Sequence, residues 1–164
     1  MKKLTYLICF AGLVLQACNS EIKQDNPFLK DFDTPHGVPP FQQIQNSHYL
    51  PAFREGIKQQ EAEIEAILNN PEAPTFENTI VALEKSGQLL QRVQSVFMNL
   101  REANTNDSMQ MVAEQVAPLL SAHADGMNLN EKLFQRIKTV YDNKEKENLN
   151  TEQLEVLNKY YKEF

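Results

Sequence analysis

The chain has 164 residues, the length of one domain, with 41% hydrophobic residues, five glycines, no tryptophan and a formal net charge of −6. Leu, Gln, Glu, Asn and Ala dominate without any repeat period or low-complexity run, a mix that favours helix over the alternating Val, Ile, Thr and aromatic runs of sheet. Setting Lys2 and Lys3 aside leaves 14 basic against 22 acidic residues, or −8, with no Lys/Arg cluster; such a surface repels phosphate backbones and anionic lipid, so nucleic acid is excluded as an expected partner.

Met1-Lys2-Lys3 forms a positive start, and Leu4 to Val14 is an apolar stretch too short to cross a bilayer as a mature helix. It ends in Leu15-Gln16-Ala17-Cys18, followed at once by polar Asn19-Ser20-Glu21. A plain secretory leader ends in small residues with no fixed cysteine. The Leu-x-Ala-Cys ending resembles the bacterial lipobox, in which the cysteine is lipidated and becomes the new N-terminus. Residues 1–17 are therefore expected to be a lipoprotein signal peptide and Cys18 a lipidation site, giving a partner in the membrane. Each buried methylene of such an anchor adds about 0.8 kcal/mol of membrane affinity. Asn19 is not the Asp that resembles an inner-membrane retention signal, so the expected location is the cell envelope, periplasm-facing, with the outer membrane preferred. Cys9 and Cys18 are the two cysteines; with none further along, the body must hold together by packing alone.

Residues 18–26 are polar and read as a short tether. Residues 27–48 contain Pro27, Pro35, Pro39 and Pro40, which fix φ and push their predecessors to extended backbone. Phe28, Leu29, Phe32, Val38 and Phe41 make this stretch too apolar for a free linker, so it is expected to be an ordered, extended arm across the helical body.

From Tyr49 to residue 164 the apolar spacing is helical, and it predicts about five helices in an irregular antiparallel all-α array. The first carries Leu50, Phe53, Ile57, Ile64 and Leu68 on one face, accepts Pro51 in its first turn, and stops near Asn69-Asn70-Pro71. Thr75 offers a cap to a second, long helix running to about Glu102 through Ile80, Leu83, Gly87, Leu90, Phe97 and Leu100. Gly87 costs roughly 1 kcal/mol against Ala in mid-helix, which points to close approach of a neighbour. Asp107 and Gln110 have capping-box spacing before a third helix with Met111, Val112, Val116, Leu119 and Leu120. Pro118 is expected to kink it, and Asp125-Gly126 to end it. A fourth helix from about Asn130 carries Leu133, Phe134, Ile137, Val140 and Tyr141. Thr151 caps a fifth with Leu154, Leu157, Tyr161 and Phe164 in phase. No Gly, Asn or Pro closes that helix, so it is expected to be part of a longer structure.

Chemistry is scarce in these residues. His36, His48 and His123 are far apart in sequence, and none begins a His-Glu-x-x-His motif. His48 reads as a helix-start residue and His123 as helix surface. There is no Gly-x-Ser-x-Gly elbow and no Gly-rich phosphate loop. Glu61, Glu63 and Glu65 fall on a solvated face by helical geometry. Tyr160-Tyr161 and Met98, Met109 and Met111 read as core filling rather than a ligand platform. No catalytic or metal residue is assigned to this chain.

The segment Pro74-Thr75-Phe76-Glu77-Asn78-Thr79-Ile80 resembles a signature near the start of the thimet-oligopeptidase-like zinc metallopeptidases. Val81-Ala82-Leu83-Glu84-Lys85-Ser86-Gly87, Asn104-Thr105-Asn106-Asp107, Val116-Ala117-Pro118 and Tyr160-Tyr161-Lys162-Glu163-Phe164 narrow the likeness to the peptidyl-dipeptidase Dcp branch, in collinear order over nearly everything after the tether. The resemblance implies a two-lobed, mostly helical enzyme several times longer, which admits oligopeptides to a channel and releases dipeptides from their C-terminus. It implies zinc held by His-Glu-x-x-His and a further Glu in a later part of the family chain. Residues 49–164 would then be helical lid or channel wall, inactive alone. The other reading is a self-contained envelope lipoprotein acting as a helical binding or scaffold module.

Overall fold

The computed structural model describes residues 25–164. The fold is an all-α array with no strand among the described residues. Its five longer helices are α1 (Asn46–Leu68), α2 (Gln88–Ala103), α3 (Asp107–Asn128), α4 (Glu131–Asp142) and α5 (Thr151–Glu163).

The helix α1 is the spine. Its N-terminal half presents Tyr49, Ala52, Phe53 and Gly56, spaced i, i+3, i+4 and i+7, which is one face of a 3.6-residue repeat. That face meets Leu90, Val93 and Phe97 of α2 and Met109 and Val116 of α3. The C-terminal half turns Ile64 and Ile67 to a second cluster built from Ile80, Leu133, Ile137 and Leu157. Between them α1 reads Lys58-Gln59-Gln60-Glu61-Ala62-Glu63, too polar to continue either cluster. One long helix thus serves two separate hydrophobic cores.

The arm is fastened at its start. Asn26 is buried; its Oδ1 accepts the Phe28 N–H (3.1 Å) and its Nδ2 donates to the His48 carbonyl (2.8 Å). Phe28 follows in a 3₁₀ turn, Pro27–Leu29, and is fully buried with its ring centroid 5.3 Å from that of Tyr49. Arg92 of α2 lies over the Phe32 ring and donates to the Lys30 carbonyl at 2.9 Å. The remaining apolar arm residues do not go under. Leu29, Val38 and Phe41 are 47%, 49% and 50% exposed.

The helix starts differ in detail from the sequence expectation. The first helix begins at Asn46, three residues before Tyr49. Asn106 caps α3 through the Met109 N–H and Asn150 caps α5 through Gln153, whose Oε1 accepts the Asn150 N–H in return. Asp107 and Thr151, read as caps, are the first helical residues. The extended backbone of Asn106 and Asn150 sets their side-chain oxygens over the free N–H groups of the first turn. At the other end, α3 runs through Asp125-Gly126 to Asn128, and Pro118 lies inside it.

The expected long second helix is broken. Thr75 does cap it, through the Asn78 N–H at 3.1 Å, but the cap opens a π-helical segment, Phe76–Val81, and then a single α-helical turn, Ala82–Glu84. The chain then turns, and Gly87 enters α2 with φ +70°. Its N–H donates to Glu63 Oε2 at 2.7 Å, and a Cβ there would lie 2.5 Å from the Gln60 side chain. The close neighbour agrees with the sequence expectation; the left-handed backbone is an addition to it. Gly87→Ala is expected to lower stability by about 1–2 kcal/mol from the left-handed conformation, more if Gln60 cannot move aside. A lower urea midpoint at unchanged slope would show it.

Of the three methionines expected in the core, Met109 is there at 3% exposure, while Met98 and Met111 are 37% and 60% exposed. Both lie on helix faces that no described element covers deeply enough to bury them.

Candidate functional site

The polar stretch of α1 meets polar groups of α3 and of the turn before α2, forming a hydrogen-bonded belt between the two cores. Gln60 is its centre. Its Nε2 donates to Ser86 Oγ at 3.3 Å, and Ser86 Oγ donates to the Leu83 carbonyl at 2.8 Å. Gln60 Oε1 lies 2.8 Å from His123 Nε2. Because the amide nitrogen is committed to Ser86, Oε1 accepts, and Nε2 of His123 carries a proton. Its Nδ1 faces Glu61 Oε1 at 3.8 Å.

The His123 side chain is only 7% exposed, which corrects the expectation of a surface histidine. Glu63, read as merely solvated, holds the Gly87 N–H. Beside the belt, α1 and α3 part to leave a cleft of about 220 Å³ lined by Glu61, Ile64, Glu65, Leu68, His123 and Met127 among others. Its lining combines the apolar Ile64, Leu68 and Met127 with the carboxylates of Glu61 and Glu65. Gln60→Leu should leave His123 Nε2 without its acceptor and Ser86 without its donor. A loss of about 1–3 kcal/mol is expected, read as a fall in melting temperature, with Gln60→Glu recovering part of it.

The other histidines do not join this group. His48 is buried at the start of α1, where its Nδ1 accepts the Gln45 N–H at 3.1 Å, in the helix-start role expected of it. His36 sits in the exposed Pro35–Gly37 turn with φ +60°. Among the described residues no group of three or more His, Cys, Asp or Glu is placed to hold a metal ion. Nor is any described helix long and apolar enough to cross a membrane. Cys18, the expected lipidation site, lies outside the described residues, as does Cys9.

Tyr160 and Tyr161 pack as expected. The Tyr161 ring stacks on Tyr141 at 4.0 Å and 7° and on Phe134 at 6.0 Å. Burial first, and then the Glu84 carboxylate, raise the Tyr160 phenol well above its ordinary pKa. Lys144 lies over the Tyr141 ring at 3.7 Å, closing the aromatic stack.

No family model matches the chain. Among curated proteins it is similar to the dipeptidyl carboxypeptidase of Escherichia coli (strain K12), with 44% identity over 139 residues, covering 85% of this chain and 20% of that protein. The dipeptidyl carboxypeptidase of Salmonella typhimurium (strain LT2) is 41% identical over the same extent. The oligopeptidase A of Escherichia coli is 25% identical, again over 85% of this chain and 20% of the relative. The chain therefore spans about a fifth of the length of the relatives it matches. By this similarity it belongs to the dipeptidyl carboxypeptidase and oligopeptidase A family, of which it matches an N-terminal part.

Proposed function

We propose that these helices are a lid or channel-wall region of an oligopeptide-cleaving zinc peptidase, and that their role in it is steric. The supporting observation is the extent of the match: 85% of the chain aligns with only 20% of proteins named for peptidase activity. Release of dipeptides from the substrate's C-terminus is preferred to internal cleavage, because identity is 44% to a dipeptidyl carboxypeptidase and 25% to an oligopeptidase A.

The described residues do not fit a zinc centre. His48 and His123 each spend a ring nitrogen on a structural hydrogen bond, and the sequence has no His-Glu-x-x-His. The metal that the family resemblance implies is assigned to parts of the enzyme outside the match, and no catalytic step is assigned to residues 25–164. Their contribution is a rigid face, with two cores and a belt fixing how α1, α2 and α3 sit.

The test compares two proteins. The 164-residue chain with stoichiometric zinc should leave an N-blocked tetrapeptide intact by chromatography, and should retain no zinc after gel filtration. The same residues fused to the family's remaining four-fifths should release the C-terminal dipeptide. Zinc-dependent hydrolysis by the 164 residues alone would refute the proposal.

The anchoring part of the proposal is that Cys18 is acylated and holds the protein at the envelope, facing the periplasm. It is supported by the leader's positive start, short apolar stretch and Leu-x-Ala-Cys ending. Mass spectrometry should find lipid on Cys18 and none in Cys18→Ser.

A further inference from the structure

We propose that the cleft between α1 and α3 is a binding site for one lysine-type side chain, its ammonium held by Glu61 and His123 Nδ1 and its stem by Ile64, Leu68 and Met127. The site stands apart from the steric role proposed above; only the question of where that side chain comes from rests on the peptidase reading.

The first observation is an acceptor without a donor. The His123 side chain is 7% exposed, and its Nε2 proton goes to Gln60 Oε1 in the belt. In the neutral ring that is the one proton, so Nδ1 presents a lone pair. The group it faces, Glu61 Oε1 at 3.8 Å, is an acceptor as well. A buried acceptor left unpaired is costly, and a charged donor satisfies it best. At this separation one nitrogen beside the pair can reach both acceptors at about 2.7–3.2 Å, the normal hydrogen-bond range.

The second observation is the lining. Glu65 stands one helical turn from Glu61 on the same cleft, and among the described residues neither carboxylate pairs with Lys or Arg. Glu65 Oε1 accepts from Asn69 at 2.7 Å, so its part is to add negative potential at the rim. Ile64, Leu68 and Met127 give apolar surface along which methylenes can lie while the charged head reaches the carboxylate. The cleft volume of about 220 Å³ is below the roughly 300–1,000 Å³ of pockets for drug-sized ligands, and it suits a single unbranched side chain. Two acceptors from different residues favour the compact charge of an ammonium over a guanidinium, whose planar fork matches the paired oxygens of one carboxylate. A metal ion is the poorer occupant, since no group of three ligands converges among the described residues.

Such a side chain has two sources, another part of the same enzyme or the oligopeptide substrate. Ring-nitrogen NMR of the histidines tests the site and separates the two. The chain is titrated with N-acetyl-lysine methylamide and, for comparison, with N-acetyl-norleucine methylamide, which has an apolar stem and no ammonium. The His123 Nδ1 signal should move saturably with the lysine probe and several-fold less with norleucine, while the buried His48 stays still and reports that the protein is folded. Glu61→Gln, at a side chain 62% exposed, should weaken the response several-fold, and added salt should weaken it too. Where His48 shows an unfolded chain, the titration is run on the same residues fused to the family's remaining four-fifths. No shift, or an equal shift with norleucine, in folded protein overturns the proposal. So does a His123 ring protonated on both nitrogens at neutral pH, because Nδ1 would then itself donate to Glu61.

In the fusion, an Nδ1 signal already shifted and deaf to the probe assigns the side chain to another part of the enzyme, and Glu61→Gln should move that signal back. A signal that still answers the probe assigns it to the substrate. An N-blocked tetrapeptide carrying lysine should then show a several-fold lower KM than its norleucine counterpart at equal kcat, a difference lost in Glu61→Gln. A signal neither shifted nor responsive in the folded fusion overturns the site. A fusion without peptidase activity would refute the steric role proposed above and leave the cleft, read from the ring signals, standing.

Discussion

Phe28→Ala is expected to cost about 3–5 kcal/mol of unfolding free energy, the range for emptying a fully buried phenylalanine site. That is a large part of the 5–15 kcal/mol typical of a domain. The magnitude comes from where the ring sits. Phe28 is 0% exposed, its ring is 5.3 Å from Tyr49 and 6.2 Å from Phe32, and Tyr49 in turn lies 4.9 Å edge-on to Phe97 of α2. The arm thus supplies a plug to the first core. Without it Tyr49, Ala52 and Phe53, all at or below 1% exposure, lose a wall. The urea midpoint should drop sharply. Amide exchange should quicken along α1's first half and α2 as well as in the arm. If the midpoint were unchanged and only arm amides exchanged faster, the arm would be a separately opening unit, and its place in the core would be wrong.

How much of the fold is legible in the sequence depends on whether the determining contacts are local. The buried faces of α1 and α4 are legible because Phe53 and Ile64, and Leu133, Ile137 and Val140, repeat at helical spacing, and burial tracks it. Thr75 is legible because its capping partner, Asn78, is three residues away. The break before α2 is not. Ile80, Leu83, Gly87 and Leu90 keep spacings of three and four, and a π-helical turn with a left-handed glycine leaves that pattern intact. The break is held by Glu63 on another helix, 24 residues back from Gly87.

The same reason hides the belt. His123 is flanked by Ala122, Ala124 and Asp125, neighbours that suit a surface position, and its hydrogen-bond partner is Gln60, 63 residues earlier. Polar side chains that pair across helices leave no periodic trace, since each looks like a solvent residue on its own element. The arm departs in the opposite direction. Its five apolar residues suggest an ordered arm against the helical body, yet Phe28 alone among them is fully buried, in a 3₁₀ turn after the Asn26 cap.

Gly56 offers the sharpest test of how α1 and α2 cross. A Cβ on Gly56 would stand 2.9 Å from Leu90 Cα, 3.0 Å from Leu90 N and 3.1 Å from Leu90 Cβ. Two of these are backbone atoms, so relief requires moving a helix instead of a rotamer. Two effects oppose each other in Gly56→Ala. Replacing helical glycine gains about 1 kcal/mol of propensity, whereas overpacking a tight contact costs typically 1–3 kcal/mol. The second should win, for a small net loss. In Gly56→Val the propensity gain shrinks and two further carbons meet the same backbone, so a loss of roughly 3 kcal/mol or more is expected. Gly126 supplies the control within the same protein. It lies in α3 with nothing within 4 Å of an added Cβ, so Gly126→Ala should stabilise by up to about 1 kcal/mol. Denaturant midpoints measured side by side should therefore move in opposite directions for one chemical change. Equal stabilisation at both sites would mean that α1 and α2 do not approach this closely, and the first core would have to be packed some other way.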